Sequence, residues 1–261
     1  GVFRALQEQG IRVDRVGGTS MGALLGAAYA MGRDHRDILE LSRVFANPRR
    51  LFDYTLPFTS VMASKKVTDM VIDIFQALYI EDLWRPFFCV SSNLSRAEPV
   101  LHQTGLLWKS VRASLAIPGI FSPILHGGDV LVDGGAINNF PVDVMHGLSD
   151  GGTVIGVNVS PPVDKAEAYE FGSSISGWQV LWDRLRRSPR VQVPTIGASL
   201  VRSLEISSVH QIKAQQRYVD ILIQPDVQRF GLLDFGSYES IAQAGYQAAR
   251  ERLVRWQEGQ G

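Results

Sequence analysis

Apolar residues recur along the chain with two different spacings, one typical of strands and one typical of helices. Short apolar runs predict strands at residues 13–16, 87–92, 99–102, 130–132, 153–159 and 219–223. Longer stretches with helical spacing predict helices at residues 1–9, 23–31, 34–46, 67–78, 106–116, 176–187, 196–216 and 238–256. Because strands and helices alternate, the pattern predicts an α/β fold with a largely parallel sheet.

Composition and charge narrow the function classes. The 261 residues fit one large domain, and we treat residues 1–261 as one domain. Lys and Arg together number 26, as do Asp and Glu, so the chain lacks the basic footprint of a nucleic-acid-binding protein. A single cysteine, Cys89, excludes an intrachain disulfide, and its apolar neighbours predict that it is buried. The longest apolar run, residues 22–31, is shorter than the ~20 residues that a membrane-spanning helix needs.

The glycine turn between the first predicted strand and the next helix carries a candidate nucleophile. Its sequence is Gly18-Thr19-Ser20-Met21-Gly22, which matches the pattern G-x-S-x-G. On such a turn the flanking glycines let the chain double back, and Ser20 is presented at the positive end of the helix that follows. The backbone N–H of Met21 is then a candidate donor to an oxyanion. The alternative is a glycine-rich turn without chemistry.

A second glycine turn carries a candidate base. Asp133 ends the apolar run 130–132 and opens the turn Asp133-Gly134-Gly135. In a parallel sheet the carboxyl ends of strands meet at one edge, so we expect Asp133 and Ser20 on the same rim. The alternative is an aspartate that only caps its own turn. None of the five histidines occupies a comparably distinctive turn; they are His35, His102, His126, His146 and His210.

The two turns, with the segment between them, resemble the patatin-like phospholipase family. Residues 113–123 read Ala-Ser-Leu-Ala-Ile-Pro-Gly-Ile-Phe-Ser-Pro, similar to the family's A-S-x-A-x-P-x-x-F-x-P segment. Asp133-Gly134-Gly135, followed by Asn139 and Pro141, resembles its D-G-G/A block. The neuropathy-target-esterase branch is the most similar, through residues 17–22, 80–84, 133–141, 176–182 and 233–236.

The resemblance implies a fold, a mechanism and a substrate class. The implied fold has three layers, α/β/α. Ser20 is implied as the nucleophile and Asp133 as the base that contacts it directly, without a metal or other cofactor. The implied reaction is hydrolysis of acyl esters of phospholipids or lysophospholipids through an acyl-enzyme. The implied partners are a lipid ester and a membrane surface on its cytoplasmic side, reached peripherally or through an anchor outside this chain.

One departure from the family pattern concerns the start of the chain. The family has a glycine-rich loop, G-G-G-x-R-G, before the helix that Gly1 begins, and its N–H groups form the oxyanion hole. Gly1 is not Met, and neither that loop nor the strand before it is in this sequence. We therefore expect a fragment of a longer protein, with Met21 as its remaining oxyanion donor, weak activity and reduced stability.

Four alternatives stay open at this level. The chain fits an α/β-hydrolase with a Ser20, Asp133 and His210 triad, or a degenerate domain that binds lipid without turnover. Residues 49–64 fit either an apolar flap that meets lipid or a loop packed on the core. The apolar spacing and arginines of residues 178–190 fit either a helix at an anionic interface or a core-packed helix with a solvated basic edge.

Overall fold

The computed structural model describes residues 1–47, 64–160, 176, 196–231 and 234–259. Seven strands occur in these ranges: β1 Val16–Thr19, β2 Phe87–Asn93, β3 Glu98–His102, β4 Ile124–His126, β5 Asp129–Asp133, β6 Ile155–Val157 and β7 Ile221–Ile223. The same ranges contain eight α-helices: α1 Val2–Glu8, α2 Met21–Ala30, α3 His35–Phe45, α4 Lys65–Phe75, α5 Leu107–Ser114, α6 Val142–Leu148, α7 Ile196–Gln215 and α8 Tyr238–Glu258. The mixed α/β architecture around a central sheet agrees with the expected three-layer α/β/α fold.

The central sheet is mixed rather than largely parallel, which corrects the prediction from the sequence. β1 and β2 are parallel, but β2 pairs antiparallel with both β3 and β5, and β4 pairs antiparallel with β5. For the pairs β2–β3 and β4–β5 the reason is local. Only a short turn separates β2 from β3, and the pair Gly127-Gly128, both with positive φ, separates β4 from β5. Connections this short join antiparallel strands, because a parallel crossover needs a dozen residues or more.

β1 and β5 lie end to end along one edge of β2. β1 pairs with residues 87–90 of β2, and β5 pairs with residues 93–91 in the opposite direction. β3 pairs with residues 89–93 and therefore occupies the other edge, since each edge bonds one neighbour at a given residue. The carboxyl ends of β1 and β5 thus point at each other. Ser20 and Asp133 meet there, and not on the common rim of a parallel sheet as we expected.

Helix α2 packs against β1 and β2 and forms the centre of the largest apolar core. Its small residues Ala23, Gly26, Ala27 and Ala28 are buried, as expected for a helix that lies close to a sheet. β1 begins later than predicted and includes Gly17 and Gly18, so the turn proper starts only at Ser20. Cys89 is buried in the same core, as predicted, and burial raises the pKa of its thiol.

A second apolar cluster lies around β7. It joins α1 and α8 to the parallel pair β6–β7, which forms a separate two-stranded sheet in the described ranges.

None of the helices described is both long and apolar enough to cross a bilayer. Of the predicted flap, residues 49–64, only Ser64 is described, and the whole of the predicted amphipathic stretch, residues 178–190, lies outside the described residues.

Candidate active site

Ser20 holds a backbone conformation that most residues avoid. Its φ is 55° and its ψ is −124°, at the step from β1 into α2. A non-glycine residue held in such a sparsely populated region costs on the order of 1–3 kcal/mol and needs support from its surroundings. Gly18 makes the turn possible, because a Cβ there would lie 2.5 Å from the carbonyl carbon of Gly22. At Gly22, none of the described residues lies within 4 Å of where a Cβ would be, so among them the expected steric need for glycine holds at Gly18 and not at Gly22.

The backbone N–H of Ser20 is held by a buried hydroxyl from α5. It donates to Ser114 Oγ at 2.9 Å, and Ser114 Oγ donates in turn to the carbonyl oxygen of Val90 at 2.7 Å. Ser114 is completely buried. The segment 113–123 was singled out in the sequence without a role for this residue. The bridge ties the nucleophile turn to the middle of β2.

Asp133 is buried at the end of β5, and its own turn holds it. Asp133 Oδ1 accepts a hydrogen bond of 2.8 Å from the N–H of Gly135, so the turn-capping role considered from the sequence is real. The N–H of Asp133 donates to the carbonyl oxygen of Ala116 at 2.9 Å. Gly134 allows the close approach, because a Cβ there would collide with the Val90 carbonyl oxygen and with Thr19.

Burial sets the charge state of Asp133. Loss of solvent raises the pKa of the carboxyl group to about 6, against smaller lowering effects of the Ser20 hydroxyl and the Gly135 N–H. A group with this pKa is about nine-tenths ionised at pH 7, yet it holds its proton far better than a solvated aspartate. Both properties suit a general base that works near neutral pH.

The Ser20 hydroxyl and the Asp133 carboxylate are neighbours without a formed hydrogen bond. The hydroxyl is close enough to lower the pKa of Asp133. Asp133 Oδ2, however, is buried and makes no hydrogen bond of ordinary geometry to any group in the described residues. The hydroxyl therefore lies near the carboxylate without the distance and angle of a proper hydrogen bond. Catalytic hydrogen bonds in ligand-free sites are often long and tighten when substrate binds.

A buried polar network connects the two turns behind the site. Thr19 Oγ1 donates to the carbonyl oxygen of Asn138 at 2.8 Å, which joins the nucleophile turn to the chain that follows Asp133. The Asn138 side chain donates to Asp143 and accepts from Gln215 on α7. The sequence did not predict a role for Asn138, since nothing local distinguishes it from a loop residue. This network keeps the two turns in one fixed relation.

The first turn of α2 supplies candidate oxyanion donors. Within the described part of the chain, the N–H groups of Met21 and Gly22 make no hydrogen bond. They lie directly after Ser20, at the end of a helix where partial positive charge favours an anion. The Ser20 N–H, in contrast, is already occupied by Ser114. The oxyanion role of the Met21 N–H stays a prediction.

No histidine is joined to this site by the contacts of the described residues. His210 is exposed on α7, and no hydrogen bond links it to Ser20 or Asp133. His102 is buried, and its Nε2 lies 2.8 Å from Ser91 Oγ. Burial, with a smaller effect of His126, lowers the pKa of His102 to about 4. In the same ranges, no three His, Cys, Asp or Glu side chains are grouped so that they could hold a metal ion.

Comparison with known proteins agrees with the resemblance found in the sequence. Residues 1–146 match the family model described as "Patatin-like phospholipase". Patatin-like phospholipase domain-containing protein 6 of Mus musculus is 33% identical over 270 residues, which span 100% of this chain and 20% of that protein. Lysophospholipase NTE1 of Mycosarcoma maydis is 33% identical over 263 residues, 98% of this chain and 14% of that protein.

A third relative comes from insects. Neuropathy target esterase sws of Drosophila melanogaster is 32% identical over 257 residues, 94% of this chain and 18% of that protein. The chain thus spans about a fifth or less of the length of these curated relatives. Since the family model covers more than half of the chain and includes both candidate turns, the chain belongs to the patatin-like phospholipase family.

Proposed function

We propose that this chain hydrolyses acyl esters of phospholipids or lysophospholipids, with Ser20 as the nucleophile and Asp133 as the base. The relatives bear the names phospholipase, lysophospholipase and esterase, which supports this class of substrate. The observation that carries the proposal is the juxtaposition at β2. A strained, half-exposed serine lies beside a buried carboxylate whose pKa is about 6.

In the proposed acylation step, Ser20 Oγ attacks the carbonyl carbon of the ester while its proton passes to Asp133. The carbonyl oxygen becomes an oxyanion, to which the N–H of Met21, at the start of α2, donates in this proposal. Collapse of the tetrahedral intermediate breaks the bond to the leaving alcohol, which takes the proton back from Asp133. The product of this half-reaction is an acyl group esterified to Ser20.

In the proposed deacylation step, Asp133 removes a proton from water, which attacks the acyl carbon. A second tetrahedral intermediate collapses, and the fatty acid leaves as Ser20 Oγ recovers the proton. Because the base must be ionised in both steps, we expect kcat/KM to fall about tenfold per pH unit below the pKa of Asp133, about 6.

The two alternatives from the sequence predict different outcomes. A triad enzyme requires His210, whereas the proposed dyad does not. A degenerate binding domain retains lipid affinity but forms no covalent adduct. The cytoplasmic side of a membrane as the place of action stays a prediction, since the segments that suggested lipid contact lie outside the described residues.

Covalent labelling and ester hydrolysis test the proposal together. An alkyl fluorophosphonate reacts with an activated serine, and lysophosphatidylcholine serves as the ester substrate. We expect both reactions to be lost in Ser20→Ala and retained in His210→Ala. Loss in His210→Ala with a folded protein would favour the triad. Absence of labelling in the unmodified chain would favour the binding domain.

A further inference from the structure

We infer that Ser114 is a positioning residue for the nucleophile, which holds the strained Ser20 backbone through its hydroxyl. The inference rests on the proposed function, because it assigns a role in delivering Ser20 to the ester. Ser114 touches no reacting atom. It acts through the N–H of Ser20 and the carbonyl group of Val90.

The Ser114 hydroxyl lies at the junction of the nucleophile turn and β2. Val90 is the last residue of β2 that pairs with β1, and Ser91 is the first that pairs with β5. The carbonyl group of Val90 therefore lies where the two strand ends meet. Ser114 Oγ reaches this gap from α5, which packs against both β2 and β5. One hydroxyl thus contacts the sheet and the nucleophile turn at their junction.

The Ser114 hydroxyl makes one hydrogen bond as an acceptor and one as a donor. A backbone N–H only donates and a carbonyl oxygen only accepts, so the hydroxyl accepts from Ser20 and donates to Val90. The hydroxyl is thus used both as a donor and as an acceptor, and the Ser114 side chain has no exposure to water. The rotamer is therefore fixed from both sides. Neither alanine nor cysteine can reproduce this pair of bonds, since the thiol is a weak donor and a weak acceptor.

The bond from the Ser20 N–H to Ser114 supports the backbone conformation of Ser20. In the described part of the chain, α2 has no side-chain cap at its N-terminus, and Ser114 Oγ is the group that accepts from the Ser20 N–H. The direction of the N–H and the direction of the Cα–Cβ bond are coupled through φ. A released N–H would let φ relax toward negative values and turn Oγ away from Asp133. We therefore expect Ser114 to govern the rate of the reaction more than the affinity for substrate.

Ser110 provides a matched control for the test. It lies one turn earlier on α5, is also buried, and its hydroxyl donates to the Leu106 carbonyl oxygen at 3.3 Å. Loss of this hydroxyl removes a buried hydrogen bond of the same helix without touching either turn. Ser114→Ala and Ser110→Ala should differ only in what the Ser114 bridge contributes.

The experiment measures the second-order rate of labelling of Ser20 by an alkyl fluorophosphonate in both variants of the chain, together with kcat and KM for lysophosphatidylcholine. We expect Ser114→Ala to react at least tenfold more slowly, with the loss in kcat, and Ser110→Ala to stay within twofold of the unmodified chain. Amide hydrogen exchange should be faster at Ser20 in Ser114→Ala only. Ser114→Thr, which retains the hydroxyl, should recover most of the rate.

Each outcome bears on a different claim. Equal labelling rates for Ser114→Ala and the unmodified chain, or equal losses in Ser114→Ala and Ser110→Ala, would overturn the positioning role. If Ser114→Ala does not fold, Ser114→Cys decides instead, because cysteine fills nearly the same space; unchanged labelling in that variant contradicts the inference. Failure of the unmodified chain to react at Ser20 would remove the proposed function, and the inference with it.

Discussion

The nucleophile turn and the base turn meet at the same point of β2, yet their free-energy costs differ in kind. Ser20 is half exposed, and its cost is conformational, since φ is 55° at a residue with a side chain. Asp133 has ordinary backbone angles, φ −49° and ψ 134°, and its cost is the burial of a charge. The Ser20 N–H is held by a side chain, Ser114 Oγ, whereas the Asp133 carboxylate is held by its own turn through the Gly135 N–H.

This difference indicates what each turn requires from the rest of the fold. A strained backbone needs a partner for the freed N–H group, and that partner comes from a distant helix. A buried carboxylate keeps its raised pKa only while water is excluded, and the packing of β5 against α5 excludes water. Substitutions that relieve one cost should leave the other unchanged.

The largest expected effect is that of Asp133→Asn on turnover. The amide has nearly the same shape but cannot accept the proton of Ser20, so kcat should fall about 100- to 10,000-fold with KM little changed. Steady-state hydrolysis of lysophosphatidylcholine measures this. Asp129→Asn is the control, since Asp129 lies at the other end of β5 and pairs with Arg96. Comparable losses in both variants would show that the effect is structural.

The next effect separates the two glycines that flank Ser20. Gly18→Ala should lower the free energy of unfolding by about 1–3 kcal/mol, because its Cβ would meet the backbone of Gly22 and Ala23. Gly22→Ala should be neutral or raise it by up to about 1 kcal/mol, because its helical position is open. Urea denaturation measures both. Equal destabilisation would mean that the turn is not shaped by contact at Gly18.

The third effect concerns the buried charge and its dependence on pH. Burial raises the pKa of Asp133 in the folded chain to about 6, so ionisation of its carboxyl group favours the unfolded chain. The protonated carboxyl group therefore stabilises the fold at low pH, and this stabilisation is lost as pH rises from about 4 through about 6. The Asp133→Asn variant has no carboxyl group here and should not lose stability in this way. Its free energy of unfolding relative to the unmodified chain should therefore rise by roughly 2 kcal/mol between pH 4 and pH 8. A difference that is flat with pH would contradict a raised pKa.

The smallest effect isolates the strain at Ser20. Ser20→Gly and Ser20→Ala both remove the hydroxyl, but only glycine accepts a positive φ without cost. We expect the glycine variant to be the more stable of the two by about 1 kcal/mol, measured by thermal unfolding at fixed pH. The reverse order would show that the backbone at Ser20 is not strained.

The sequence predicted the two turns well because their chemistry is local. Glycines beside Ser20 and after Asp133 indicate sharp turns, whatever the rest of the chain does. The way the turns meet was predicted wrongly, because strand pairing depends on residues far apart in the chain. The Gly127-Gly128 pair could have indicated the β4–β5 hairpin, but not the antiparallel pairing of β5 with β2, which joins residues about forty positions apart.

The supporting residues were harder to predict than the reacting ones. Ser114 lies in a segment that the sequence marked, but several buried hydroxyls occur in and near α5, and only the packing shows which of them reaches Ser20. Asn138 likewise acts through its backbone carbonyl oxygen, which any residue type possesses. A sequence pattern carries no signal for such a contact.

The most direct test of a Ser20–Asp133 dyad is covalent labelling by an alkyl fluorophosphonate, with the modified residue located by mass spectrometry. The account predicts an adduct on Ser20 in the unmodified chain and in His210→Ala, and a strongly reduced rate in Asp133→Asn. An adduct on another residue, or an Asp133→Asn variant that reacts as fast as the unmodified chain, would contradict it.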